Sequence, residues 1–451
     1  VNSLRERLAA TGIGFAGIEG AWWLPAAQPF ALPRSVADQL ARFGEALFTF
    51  LDTVAALYPH DEALRQLLHH RLPPHFPTTV HPQPVLSLRP DFQLVPLDDG
   101  SLRIAVTELE MCPSAHGWAH AMQTAYGLDT DLADAFARCL DGRELLFAGT
   151  EKWSEFLIEQ LAFCRALAER GAQARVLYDA PLGVMAREFR AGARWQPPMF
   201  GVAAKPREWD GDLIARLRAR GVLQFSTDVW PAEVGDAVIF RFGYLGDFVP
   251  EALAHLQQWA HSGATFLNPP NFFWESKALM ASAGLASVRA ALPRDVLAVL
   301  DYHLPETQLL QSSDLHSLAQ SKDHWVLKFA GFDSGQQAWG GRSLQIGAQH
   351  TDASWRRVLE HYLDLPFPVV AQRLTPTAQV DVDYVDAAGN MRTMHNGFTR
   401  LRTFFLRGAS PSPIGRGGRA VRACGSHLTL SGGSMQVSES TDSVQAPVIF
   451  R

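Results

Sequence analysis

The sequence predicts an α/β chain in which a helix-covered parallel sheet stands between a region with a strand hairpin and one with several strand-like runs. Three observations carry this. Residues 144–270 alternate short apolar runs with amphipathic stretches of helix length, residues 85–111 hold two alternating runs around Asp98-Asp99-Gly100, and the last third holds several strand-like runs. Strands alternating with helices need crossover connections, and those join parallel strands. At 451 residues the chain should hold two or three such units.

The elements follow in order. Ser35 precedes VADQLARFGEALFTFLDTVAALY, where Leu40, Phe43, Leu47, Phe50, Leu51 and Val54 recur at helical spacing, with Ser35 the expected N-cap. Pro73, Pro74, Pro77, Pro82 and Pro84 then end helical structure. VLSLRPDFQLVPL and SLRIAVTELEM flank an Asp-Gly, a hairpin signal. From 144 the chain reads as strand ELLFAG, a helix with Phe156, Leu157, Leu161, Cys164 and Leu167 on one face, Gly171 to close it, and strand ARVLY. A second such unit runs AVIFRF, EALAHLQQWAHSG, ATFLNPP. HWVLKFA, PFPVVAQRL, QVDVDYVDAAG and RTFFLRG are the strand-like runs of 271–451. The expected units are therefore 1–143, 144–270 and 271–451.

Composition narrows the function. Apolar residues make up 47% and charged residues 19%, which argues against disorder. Forty basic against forty-six acidic residues leave a net charge of −6, so no overall positive field holds a nucleic acid. Cys112, Cys139, Cys164 and Cys424 lie far apart, so neither a disulfide framework nor a cysteine zinc site is expected. With no apolar run of membrane length and no secretory signal pattern, no membrane partner and a cytoplasmic location are expected.

Four places could carry chemistry. Glu108 and Glu110, two apart on a strand, share a side, and a hairpin can bring Asp91 alongside. Three converging carboxylates repel unless a divalent cation neutralises them, although a solvated strand face accounts for the same letters. Lys328 ends a strand followed by Gly331, Ser334, Gly335, Gly340 and Gly341, a run whose backbone N–H groups could approach an anion; a plain turn accounts for it too. Neither a Walker A motif nor a G-x-G-x-x-G is present. Lys277 follows Asn268-Pro269-Pro270, and Arg400, Arg402, Arg407 and Arg422 cluster late in the chain. His116 and His120 stand at the i, i+4 spacing of a zinc pair, but without the internal glutamate of H-E-x-x-H.

The order of the pieces is more specific than any one of them. R-P-D, D-G and E-L-E, an α/β unit ending in F-L-N-P-P, then S-K-A-L-M, W-V-L-K with its Gly-rich loop, V-V-A-Q, R-T-F-F-L and L-S-G-G resembles the circularly permuted ATP-grasp ligases, of which glutathionylspermidine synthetase is the familiar member. The resemblance runs from about residue 85 to the end. It implies an ATP-grasp fold in circularly permuted order: the metal-binding half in 1–143, a Rossmann-like pre-ATP-grasp domain in 144–270, and the lysine-bearing, adenine-binding half in 271–451.

By the same resemblance, Asp91, Glu108 and Glu110 would hold Mg²⁺, and Lys277 and Lys328 would contact the phosphates of ATP. Gly331, Ser334 and Gly335 would cover them, and Gln372, Arg373 and Leu374 would form the adenine hinge. Arg89 would stabilise the transferred phosphoryl group, with Arg402 as a second clamp. The chain departs from the family's E-x-N in having E-L-E, its spacer from Asp91 to Glu108 is longer, and the amidase side of the bifunctional relative is not expected.

The implied activity is ATP-dependent carboxylate–amine ligation. Phosphorylation turns a carboxylate, whose leaving group would be oxide, into an acyl phosphate that an amine can attack. The partners are a small-molecule or peptide carboxylate and an amine, with Trp153, Tyr244 and Arg241 candidates to line their site. The alternatives are an ATP-grasp-shaped nucleotide-binding protein that no longer ligates, and a zinc hydrolase built on His116 and His120.

Overall fold

In the computed structural model the described residues are 2–11, 24–74, 76–150, 153, 156–179, 219, 223–224, 227, 230–332, 343–386, 388–408, 420–433 and 443–451. The helical spacing after Pro33 gives one long helix, Arg34–Leu57, whose Leu40, Phe43, Leu47, Phe50, Leu51 and Val54 are all buried. Ser35 is not its N-cap. The chain enters from Pro33, whose φ of −59° and ψ of 147° set the entry, and Ser35 falls in the first turn.

That helix packs on an eight-stranded sheet drawn from three distant stretches. Its central path is β1 (Leu24–Pro25), β17 (Val444–Phe450), β16 (Val421–Ser431), β15 (Met391–Arg407), β3 (Ser87–Pro96) and β4 (Leu102–Glu110). β2 (Phe30–Leu32) adds to β17 and β14 (Gln379–Val385) to β15. Ala26 also bridges Tyr384, so β14, β15, β16, β17 and β1 close into a ring. The β3–β4 hairpin turns where the sequence expects it. Gly100 takes φ +81°, and its N–H donates to the Leu97 carbonyl at 2.9 Å.

A five-stranded sheet runs β7 (Leu223–Gln224), β6 (Ala174–Tyr178), β5 (Leu145–Gly149), β8 (Val238–Phe242), β9 (Thr265–Phe266), with every neighbouring pair parallel. Its first strand in sequence lies in the middle. The helices Leu157–Ala168 and Pro250–His261 follow β5 and β8 as the alternation predicts.

A smaller antiparallel sheet orders β10 (Thr307–Leu309), β13 (Val369–Arg373), β11 (Trp325–Phe329) and β12 (Gln345–Ile346). Alternation splits its faces. Trp325, Leu327, Phe329 and Ala371 pack against Trp355 and Leu359 of the helix Asp352–Leu363, which turns Val326, Lys328 and Gln372 to the opposite side. Residues 271–451 thus supply both this sheet and half of the eight-stranded one.

Candidate functional site

The β3–β4 pairing sets one wall. Asp91 lies directly opposite Glu108 and Arg89 opposite Glu110, so all four side chains share a face. Phe92, however, faces Val106, which leaves Thr107 as the extra residue of a β-bulge. Its carbonyl is thereby released from the ladder, and it accepts a hydrogen bond from Lys328 Nζ at 2.9 Å.

The other wall carries the lysines. Lys277 precedes the short helix Ala278–Ala281, and its backbone N–H donates to the Ala330 carbonyl at 2.7 Å. Gly331 makes this approach possible, since a Cβ there would stand 3.3 Å from the Glu275 carbonyl oxygen. Glu275 is itself held by Arg241 of β8 and by the N–H of Leu245, 2.9 and 3.0 Å from its two oxygens. From this base Lys277 Nζ reaches Glu108 Oε1 at 2.7 Å. Lys328 Nζ lies 2.8 Å from Gln372 Oε1.

Between the walls is a cleft enclosing roughly 680 Å³ of non-protein space, its open mouth included. Glu108, Lys277, Lys328, Gln372, Arg373 and Leu374 all line it, together with Arg400. Groups from residues 107–108 and 277–374 therefore meet in one place. Asp91, Arg89, Arg402 and Glu110 lie behind that wall, each no more than 6% exposed.

The three carboxylates do not converge. Asp91 is turned to three guanidiniums, those of Arg402 at 3.3 Å, Arg400 at 3.4 Å and Arg89 at 3.5 Å. Burial raises its pKa, but Arg402, Arg89 and Arg400 outweigh that and hold it at about 2. Glu108 faces Lys277, and Glu110 accepts from the Tyr244 hydroxyl at 3.3 Å. Burial first, then the neighbouring Glu108 charge, raises Glu110 to about 7. Among the described residues no three His, Cys, Asp or Glu side chains form a group that could hold a metal ion. The expected triad is thus one cleft-lining carboxylate, Glu108, with two others behind it. A Mg²⁺ that enters with phosphates commonly takes one or two protein carboxylates, and Glu108 fits that smaller role.

Arg373 stacks 4.6 Å from the Trp325 ring and pairs with Glu306 at 3.1 Å, while the Leu374 N–H donates to the His324 carbonyl at 2.8 Å. Arg402 pairs in register with Asp91 and hydrogen-bonds Thr429. Arg89 donates to the Ser114 carbonyl at 2.8 Å. Ser334, Gly335, Gly340 and Gly341 lie outside the described residues.

The histidine pair does not fit zinc. His116 is buried among the rings of Phe136, Phe163, Phe240 and Phe404, 4.6–5.5 Å away, and burial holds its pKa well below the usual value. His120, a turn later, is lowered to about 4, by burial first and Arg170 second. All four cysteines are free and buried. Trp153 donates to Asp247 at 3.0 Å, and its ring meets that of Tyr244 edge-on at 5.0 Å.

Sequence reasoning missed several participants. The Thr107 bulge leaves no mark in the letters T-E-L-E. Arg400 was one arginine of four until the register of β15 against β3 set it beside Asp91. Thr307, opposite Gln372 and 3.1 Å from its amide nitrogen, carries no motif at all.

No family model matches this sequence, and no curated protein does. Among solved structures, a glutathione synthetase-like effector from Globodera pallida, in its apo form, superposes with a TM-score of 0.54 at 13% identity, covering 99% of this chain and 96% of that one. A Methylobacillus flagellatus protein provisionally named a gamma-glutamylcysteine synthetase gives a TM-score of 0.40 at 12% identity over 88% and 86% of the two chains, below the level at which a shared fold is argued. Over almost its whole length, then, this chain has the fold of the glutathione synthetase-like effector.

Proposed function

We propose that this protein is an ATP-dependent carboxylate–amine ligase, with an ATP-grasp nucleotide site in circularly permuted order. The observation that carries the reading is the single cleft in which Glu108, encoded early, meets Lys277 and Lys328, encoded late. On this reading the five-stranded sheet, with its first strand central, is the Rossmann-like domain that precedes the nucleotide site. Lys277 and Lys328 take phosphate oxygens of ATP, and the 372–374 stretch borders the adenine. Binding of the nucleotide breaks the Lys277–Glu108 pair, because the ammonium is needed by phosphate and the carboxylate by the cation. Mg²⁺ when bound would offset charge on the phosphates, with Glu108 as its protein ligand.

Arg400, which lines the cleft, would meet the transferred phosphoryl group, with Arg89 and Arg402 supporting it through their shared pairing with Asp91. The acid is converted to an acyl phosphate, and an amine displaces phosphate to give the amide.

A nucleotide-binding protein without ligation is favoured by one observation, the arginine-bound state of Asp91. The test separates the two readings. With ATP and Mg²⁺, a ligase should release ADP and phosphate only when an acid and an amine are both supplied from a panel of amino acids, small peptides and polyamines. ATP binding without turnover under any pairing would leave the non-ligating reading standing.

A further inference from the structure

The side-chain amide of Gln372 has one way to face. Thr307 Oγ1 donates its hydrogen to the Pro305 carbonyl at 2.9 Å, so it meets Gln372 only as an acceptor, 3.1 Å from Nε2. The sulfur of Met280, 3.7 Å from the same nitrogen, is an acceptor as well. The amide oxygen is thereby turned toward Lys328, 2.8 Å from Nζ, across the diagonal between β13 and β11. The carbonyl of the Thr107 bulge takes a second ammonium hydrogen at 2.9 Å.

An ammonium has three hydrogens, and two are thus directed to neutral acceptors held by backbone and by a buried amide. The third is left for the cleft that Lys328 lines. A lysine stem otherwise samples many rotamers, and this one is pinned at two points.

We infer that Thr307 and Gln372 are positioning residues for Lys328, fixing one N–H toward a phosphate oxygen, so that the Gln372 side chain serves the phosphate end of the ligand and not its base. The inference rests on the nucleotide-site reading above. It is tested with the full chain by measuring the affinity of Mg²⁺-AMP-PNP and of adenosine for Gln372→Leu, Thr307→Val and Lys328→Met.

Gln372→Leu should weaken AMP-PNP about tenfold, the scale of one charge-assisted hydrogen bond to a well-placed cation. Thr307→Val should weaken it several-fold, because the amide is then free to flip. Adenosine binding should stay unchanged throughout. Equal weakening of adenosine would assign Gln372 to the base and overturn the inference; so would unchanged AMP-PNP affinity in Gln372→Leu. Lys328→Met separates the two levels. If that variant binds AMP-PNP as the parent does, the nucleotide-site reading fails; if it loses affinity while Gln372→Leu does not, only the positioning role fails.

Discussion

At Lys328 burial and charge pull in opposite directions. Burial pushes its ammonium down to about 7, against the raising effect of Glu108. A polyphosphate ligand needs the charged form, so affinity for AMP-PNP should be greatest below about pH 7 and fall by up to about tenfold per pH unit above it. Titration calorimetry across pH 6–9 checks this, and Lys328→Met should flatten the profile. Glu108→Gln preserves size but removes the charge that faces Lys277. It should cut ADP release by at least about a hundredfold while leaving the circular dichroism spectrum unchanged.

Glu110 gives a stability prediction with the opposite slope from an ordinary carboxylate. Its folded pKa, about 7, lies above the usual 4.5, so its contribution is complete below about pH 4.5 and lost as pH rises through 7. The melting temperature of Glu110→Gln minus that of the parent should therefore grow from pH 5 to pH 8. The letters E-L-E disclosed two carboxylates on one strand face. They could not disclose that one faces a lysine and the other a tyrosine, because both partners arrive from far along the chain.

Helices and strands were legible where their periodicity was clean. The helix Arg34–Leu57 and the alternating strands of the parallel sheet stand where the apolar spacing puts them. β15 did not: its first half is mostly exposed, so only the RTFFLRG end reads as a strand although the element spans Met391–Arg407. The close fit of the long helix to the sheet was also silent. Gly44 faces the ring of Phe405, and a Cβ there would come within 2.5 Å of it. Alanine would gain about 1 kcal/mol of helix propensity. The fully buried Phe405 ring has nowhere to retreat, and overpacking costs about 1–3 kcal/mol, so Gly44→Ala should be net destabilising in urea titration.

The whole molecule depends on joints between its sheets. Asn268, the residue before the paired prolines, accepts from the Arg241 N–H at 2.8 Å and donates to the Arg241 and Met111 carbonyls at 2.7 and 2.9 Å. It fastens β8 of the parallel sheet to the end of β4, which carries Glu108 and Glu110. Asn268→Ala would strand three buried backbone groups and should lower unfolding free energy by roughly 2–4 kcal/mol in urea titration. Asn268→Asp should do no better, since a carboxylate cannot donate. N-P-P reads locally as a strand stop, and its side chain's reach is a property of the assembled sheets. The cleft is of the same kind: the sequence named its lysines and Glu108 one by one, while their meeting depends on three sheets being in place.

The eight-stranded sheet has a consequence in time. β3 and β4 leave the ribosome as a hairpin well before their partner β15 and the ring-closing β17 are made. Until then Arg89 and Asp91 have no late arginines to settle beside, and the apolar underside of the hairpin waits for its seat. A chain with such remote pairings folds slowly. The nascent protein should therefore be a strong client for chaperones, and synonymous codon changes that slow synthesis between β4 and β14 should raise the share lost to aggregation.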